Sequence, residues 1–172
     1  MPSFLIIGVG GSGKTTVIHS LQKRGYAAYN TDTVPGSMRW EDMRTGMPIP
    51  TPEHANWSVE GWNWYAPALS KLLASDRTVY IGAIPSNRKR FYSWFEHIFV
   101  LCVDNPTLEH RLITRTGPSQ YGKDARERAG ALRFNLIFSK EFSGMKNVTF
   151  IKSDQSVDTI IAEILTVSAS YS

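Results

Sequence analysis

One stretch near the start constrains this chain more than any other: Gly8-Val9-Gly10-Gly11-Ser12-Gly13-Lys14-Thr15. It follows the apolar run Phe4-Leu5-Ile6-Ile7 and opens a helix-compatible segment from Thr16 to Lys23. Strand, glycine loop, helix is the context in which the G-x-x-x-x-G-K-[ST] pattern cradles phosphate. With no side chains at Gly8, Gly10, Gly11 and Gly13, the backbone can fold tightly enough for successive N–H groups to converge on anionic oxygens. The helix that follows adds partial positive charge at the same point, where Ser12 and Thr16 also lie. The pattern predicts that Lys14 reaches the outer phosphates of a nucleotide and that the Thr15 hydroxyl faces a divalent cation.

The rest of the composition fits a single globular domain over residues 1–172. Of the 172 residues 42% are apolar, enough to bury a substantial core. No apolar run approaches the ~20 residues of a membrane helix, so no membrane partner is expected. The first strand begins almost at once, so no secretory leader is expected. A lone cysteine, Cys102, lies inside the apolar run Ile98-Phe-Val-Leu-Cys-Val103, which rules out a disulfide within the chain and points to the cytoplasm. The net charge is +4 and the isoelectric point about 9.3. That excess suits phosphate handling. The cations are dispersed apart from Arg88-Lys89-Arg90, which disfavours nucleic acid as a partner. A monomer or a homodimer is expected.

Along the chain, strands near 4–8, 26–29, 78–81, 98–103 and 148–151 alternate with helices near 14–24, 67–76, 106–116, 124–140 and 156–167. A short aromatic helix runs through Phe91, Trp94 and Phe95. This alternation predicts an α/β fold: a parallel five-stranded sheet with helices on both faces, its ligand at the carboxyl edge of the strands. Residues 33–66 are expected to be irregular. They hold Pro35, Pro48, Pro50 and Pro52 among Trp40, Trp57, Trp62, Trp64 and Tyr65, and an aromatic segment of this length reads as functional rather than disordered.

In this order the motifs resemble the small P-loop kinases, the group of adenylate kinase, other nucleoside monophosphate kinases and shikimate kinase. The chain is also similar to bacterial P-loop proteins described as ATPases or kinase-like, in which a segment such as Gly82-Ala-Ile-Pro-Ser-Asn87 precedes a Phe-rich stretch such as Phe91-Tyr-Ser-Trp-Phe95. The resemblance covers nearly the whole chain and implies ATP and Mg²⁺ as cofactors and a small-molecule phosphoryl acceptor. It places Asp32, after the second strand, toward the acceptor or Mg²⁺. It identifies His110-Arg111-Leu112-Ile113-Thr114-Arg115 with the R-x-x-x-R segment at a lid, Arg111 on the adenine and Arg115 on the transferring phosphate. It identifies Lys152-Ser153-Asp154-Gln155-Ser156-Val157 with the last loop, whose backbone holds the adenine edge, at Asp154 and Gln155. The third strand, Thr78-Val-Tyr-Ile-Gly-Ala83, lacks the terminal Asp that holds Mg²⁺ in motor ATPases and GTPases. Thr15, with Asp32 or Asp104, remains to hold the metal.

Several site residues carry two readings. Asp32 is either a general base for an attacking hydroxyl or a helix cap. Arg39 and Arg88 either bind an anionic acceptor or are surface charges. Trp62 and Trp64, with Trp57, either stack on the acceptor or form a local apolar cluster. Residues 115–128 are expected to form a lid, with Gly117, Pro118 and Gly122 interrupting the helix and Arg126, Arg128 and Arg133 beyond it. The expected reaction moves the γ-phosphoryl of ATP to a small molecule, with Lys14, Asp32 and Arg115 as the catalytic set. A nucleoside or nucleotide acceptor, an ATP-binding regulator with little turnover, and a nucleic-acid end kinase are the alternatives.

Overall fold

The structure is a computed structural model and describes residues 1–116 and 121–171. Five strands form one parallel sheet in the order β2-β5-β1-β6-β7: β1 Ser3–Ile7, β2 Ala27–Asn30, β5 Val79–Ala83, β6 His97–Cys102 and β7 Val148–Lys152. This is the expected sheet. β1 lies at its centre with every residue buried, as a strand covered on both faces must be. Alternation along the strands splits the core in two. Phe4, Ile6, Tyr80, Phe99 and Leu101 face helices α1 (Lys14–Lys23) and α5 (Val157–Ala169) through Val17, Ile18, Leu21, Ile160 and Ile164. Leu5, Ile7, Ile81, Ile98 and Val100 face the other layer, built from α2 (Ala66–Leu73), α3 (Asn105–Thr114), α4 (Ala125–Phe138) and a 3-10 helix at Arg88–Trp94.

Local chemistry sets the helix starts. Asp104 caps α3, its carboxylate accepting from Thr107 N at 2.8 Å. Asp124 caps α4 and Ser156 caps α5 in the same way. The start of α1 differs. Gly13 precedes it at φ 98°, a left-handed conformation that side chains disfavour, and no side chain caps the helix.

Residues 33–66 depart from the expected irregularity. Met38–Asp42 (β3) and Glu60–Trp64 (β4) pair as an antiparallel hairpin, with Met38 opposite Trp64, Trp40 opposite Trp62 and Asp42 opposite Glu60. The proline-containing residues 43–59 join the two strands. The pattern hides the pairing because both faces are mixed: tryptophans and Met38 on one, Arg39, buried Glu41 and buried Asn63 on the other. The hairpin packs over the carboxyl end of β5. Ser86 N donates to Trp62 O at 2.9 Å, and the Asn87 amide bonds both backbone groups of Trp64 at 3.0 Å.

Candidate active site

The glycine loop joins β1 to α1 at the carboxyl edge of the sheet. Its Ser12 N donates to Val9 O at 3.0 Å, closing the turn. The Ser12 hydroxyl is buried without a hydrogen-bond partner among the described residues. Lys14 Nζ lies across the loop, donating to the carbonyls of Gly8 (2.6 Å) and Val9 (3.1 Å). Burial lowers the Lys14 pKa from 10.5 to about 8; the negative charge of Asp32 opposes that shift and the positive charge of Arg115 adds to it. Asp32 and Arg115, the other two residues expected to form the catalytic set, therefore each lie within electrostatic reach of Lys14, although the three come from α1, the end of β2 and the end of α3. Thr15 and Thr16 are exposed in the first turn of α1.

Asn30 contributes what the sequence reading missed. Its Nδ2 donates to Thr15 Oγ1 at 3.3 Å, and its Oδ1 accepts from Asp32 N at the same distance. One side chain thus ties the Thr15 hydroxyl to the backbone of the acidic residue. The only advance signal was its place at the end of the second strand, two residues before Asp32.

Asp32 is not a helix cap. Its Oδ1 accepts from Trp62 Nε1 at 3.0 Å, so β4 fixes the carboxylate. Trp62 also stacks with Trp40 (centroids 5.6 Å apart), which meets the exposed Trp57 at 5.2 Å. The result is an aromatic wall running outward from Asp32. Trp64 is a correction. It is fully buried, with Nε1 donating to Thr31 Oγ1 at 2.9 Å and its ring against Phe91 and Phe95. A ring with no exposed face belongs to the core and has none to offer a substrate.

The arginines divide as well. Arg111 donates to Ser153 O at 2.6 Å and Ser153 Oγ at 3.2 Å, binding α3 to the loop after β7 that carries Asp154 and Gln155. Arg115 Nη1 donates to Tyr121 O at 3.0 Å. The Tyr121 ring rests on the phosphate loop so closely that a Cβ at Gly10 would come within 2.7 Å of it. Arg128 bonds the carbonyls of Gly122 and Lys123, and Glu127 accepts from Gly122 N at 2.9 Å. Gly117 and Pro118, expected within a lid, lie outside the described residues. Arg39 pairs with Glu41 at 2.7 Å and stacks over Tyr65 at 4.4 Å. Arg88 is a second correction. It forms a two-pronged pair with Glu141 (3.0 and 2.8 Å), donates to Pro85 O and lies beside Phe134 and Phe138. Those contacts account for the residue without a ligand.

No family model matches the chain, and no curated protein matches it. Solved structures do. A gluconokinase from Sinorhizobium meliloti shares 21% identity and a TM-score of 0.59, over 99% of this chain and 93% of that one. A deoxyadenosine kinase from M. mycoides, with bound dATP, shares 14% identity and a TM-score of 0.60, over 96% and 98%. A sugar kinase from a Janibacter species shares 17% identity and a TM-score of 0.55, over 96% and 93%. The chain has the α/β fold of these P-loop kinases along nearly its whole length.

Proposed function

We propose that this protein is a Mg²⁺- and ATP-dependent phosphotransferase acting on a small-molecule acceptor. The observation that carries the reading is Lys14 folded across a glycine loop at an uncapped helix N-terminus, with the charges of Asp32 and Arg115 within electrostatic reach of it. The likeness to three structures titled as kinases supports it. The residues fit the cofactors. Free N–H groups at the start of α1 and the Lys14 ammonium suit phosphate oxygens. Thr15 Oγ1, oriented by Asn30, suits Mg²⁺, which supplies charge neutralisation on the transferring group.

In this reading Gly8, Gly10, Gly11, Ser12, Gly13, Thr15 and Thr16 hold the phosphates. Arg111, Asp154 and Gln155 form the nucleoside end of the site. Lys14 and Arg115 stabilise charge on the group in flight. Asp32, held by Trp62, orients or deprotonates the acceptor hydroxyl. The acceptor lies along the Trp40–Trp57–Trp62 wall, with Arg39 nearby, and residues 115–128 close over ATP as a lid. Closure excludes water and limits hydrolysis. No helix among the described residues is long and apolar enough to cross a membrane. We place the enzyme in the cytoplasm on the strength of its single cysteine. The test is a screen of sugars, sugar acids and nucleosides with γ-labelled ATP. A labelled acceptor made by the natural chain and lost in Asp32→Asn is the expected result. ATP binding with no labelled product from any pool would overturn the reading in favour of a regulatory module.

A further inference from the structure

The hairpin has a second face that, apart from Arg39, the candidate active site does not use. Alternation along β4 sends Trp62 and Trp64 one way, toward Asp32 and the core, and Gly61 and Asn63 the other. Pairing puts Glu41 opposite Gly61 and Arg39 opposite Asn63 on that second face. A cavity of about 250 Å³ lies there, between the hairpin and residues 86–90, lined by Glu41, Met43, Asn63, Ser86, Lys89 and Arg90 among others.

The floor of this cavity is polar. The buried Glu41 carboxylate is held by Arg39 Nε at 2.7 Å and Asn63 Nδ2 at 2.8 Å. Asn63 is only 2% exposed, and its Oδ1 has no hydrogen-bond partner among the described residues. A buried acceptor left unpaired costs stability, so a donor that reaches it gains more than an exposed contact would. Met43 lies over the amide, with Sδ 3.3 Å from Asn63 Nδ2. It is exposed and flexible, so it is the wall that can move. The Ser86 hydroxyl makes no hydrogen bond among the described residues. The mouth is cationic. Lys89 and Arg90 are exposed; Lys89 makes a long ion pair, 3.7 Å, with Glu141, a carboxylate that Arg88 already holds at 2.8 Å. The Arg90 side chain has no ion pair or hydrogen bond among the described residues. The other acid in the lining, Asp42, is already neutralised by Arg44 at 2.6 Å. The cavity, about 250 Å³ and open to solvent on one side, has room for a hydroxy acid or an amino acid.

The geometry points to a second ligand site behind the hairpin, for a small organic anion that also carries a hydroxyl or amine donor. The anion pairs with Lys89 and Arg90, and the donor reaches Asn63 Oδ1 past Ser86. The site is separate from the proposed acceptor position, but it shares strand β4 with Trp62, so an occupant that holds Gly61 and Asn63 also steadies the Trp62–Asp32 contact.

Calorimetric titration of the full chain, without nucleotide, tests this with three probes: D-glycerate, L-glutamate and 3-phospho-D-glycerate. At least one is expected to bind below millimolar concentration. Arg90→Glu should weaken that binding about tenfold or more, because it replaces an attractive charge with a repulsive one. Asn63→Leu should weaken it similarly, and ATP should bind both variants as before. Lys14→Ala should leave the probe's affinity unchanged. Three results would overturn the site: no probe binds, Arg90→Glu makes no difference, or Lys14→Ala removes the binding, which would place the anion in the phosphate loop. Asn63 also steadies Glu41, so if Asn63→Leu fails to fold, Arg90→Glu decides alone. These outcomes are independent of the labelled-ATP screen, so either proposal can fail without the other.

Discussion

Lys14 should make ATP binding take up a proton in mildly alkaline solution. Its ammonium lies against the loop carbonyls, and burial there lowers its pKa to about 8. Bound phosphates would restore the charged form by placing several negative oxygens beside it, returning its pKa toward the ordinary lysine value. With a free pKa near 8, about 0.1 of the lysines are neutral at pH 7 and about 0.8 at pH 8.5. Binding at pH 8.5 should therefore take up about 0.8 proton per ATP. The apparent Kd should rise about fourfold from its neutral-pH value at pH 8.5 and about tenfold at pH 9. The span from about 8 to 10.5 caps the coupling at ~3 kcal/mol. Calorimetry at pH 8.5 in two buffers of different ionisation enthalpy reads the uptake directly, and Lys14→Met is the control. Stability should move the opposite way. The unfolded lysine keeps a proton that the folded one gives up, so the nucleotide-free protein gains stability as pH rises from about 8 to 10.5. Uptake below about 0.2 proton in the natural chain, or equal uptake in the Met variant, would refute the argument.

Trp62→Phe keeps an aromatic ring but removes the hydrogen bond to Asp32. Bonds to charged groups contribute ~1.5–3 kcal/mol, so kcat/KM for the acceptor should fall at least about tenfold while the Kd for ATP holds, as steady-state kinetics with each substrate varied will report. Arg115→Ala should lower kcat and kcat/KM together, by about 30- to 1,000-fold in single-turnover assays with labelled ATP. Glu141→Ala leaves the largely covered Arg88 without its partner and also removes the contact with the Tyr92 hydroxyl. It should cost ~3–5 kcal/mol in urea unfolding, with kinetic constants unchanged below the transition. Trp64→Ala should cost a similar ~3–5 kcal/mol through the cavity it leaves beside Phe91 and Phe95, and, unlike Glu141→Ala, it should also lower kcat/KM for the acceptor, because β4 loses its anchor.

The parts of this molecule that were legible in its sequence are those governed by local rules. The glycine loop announces itself because each of its glycines, Lys14 and Thr15 is needed for a backbone shape and a charge that a few residues create on their own. The central strands read clearly because burial on both faces leaves an unbroken apolar run. The hairpin did not read, since its two strands meet across residues 43–59 and its inner polar face places Glu41 and Asn63 where a simple alternation expects apolar residues. Arg88 misled for a related reason. A cation at the carboxyl edge of a sheet looks like a ligand residue until its partner is known, and that partner, Glu141, is 53 residues away. Asn30 was overlooked because an amide at a strand end carries no chemical signature until Thr15 is found beside it.

The two tryptophans of β4 show how one strand serves several ends. Trp62 and Trp64 are two residues apart, so their side chains leave the same face, and sequence alone gives them equal claims on a substrate. Their indole nitrogens donate to neighbouring residues, Asp32 and Thr31. The difference lies in what covers them. Phe91 and Phe95, in and just after the 3-10 helix, close over Trp64, whereas Trp62 meets Trp40 and stays half-buried at the edge of the hairpin. Trp64 therefore anchors β4 to the core, and that anchorage holds the Trp62–Asp32 contact in place, as the proposed role of Asp32 in positioning an acceptor requires. A loosely held indole would lose much of the contact's value to its own freedom, because a bond that must first order its partners stabilises less than one between groups already in place. The same anchorage fixes Gly61 and Asn63 on the reverse face, so the walls of the rear cavity are set by the core residue that sets the carboxylate in front.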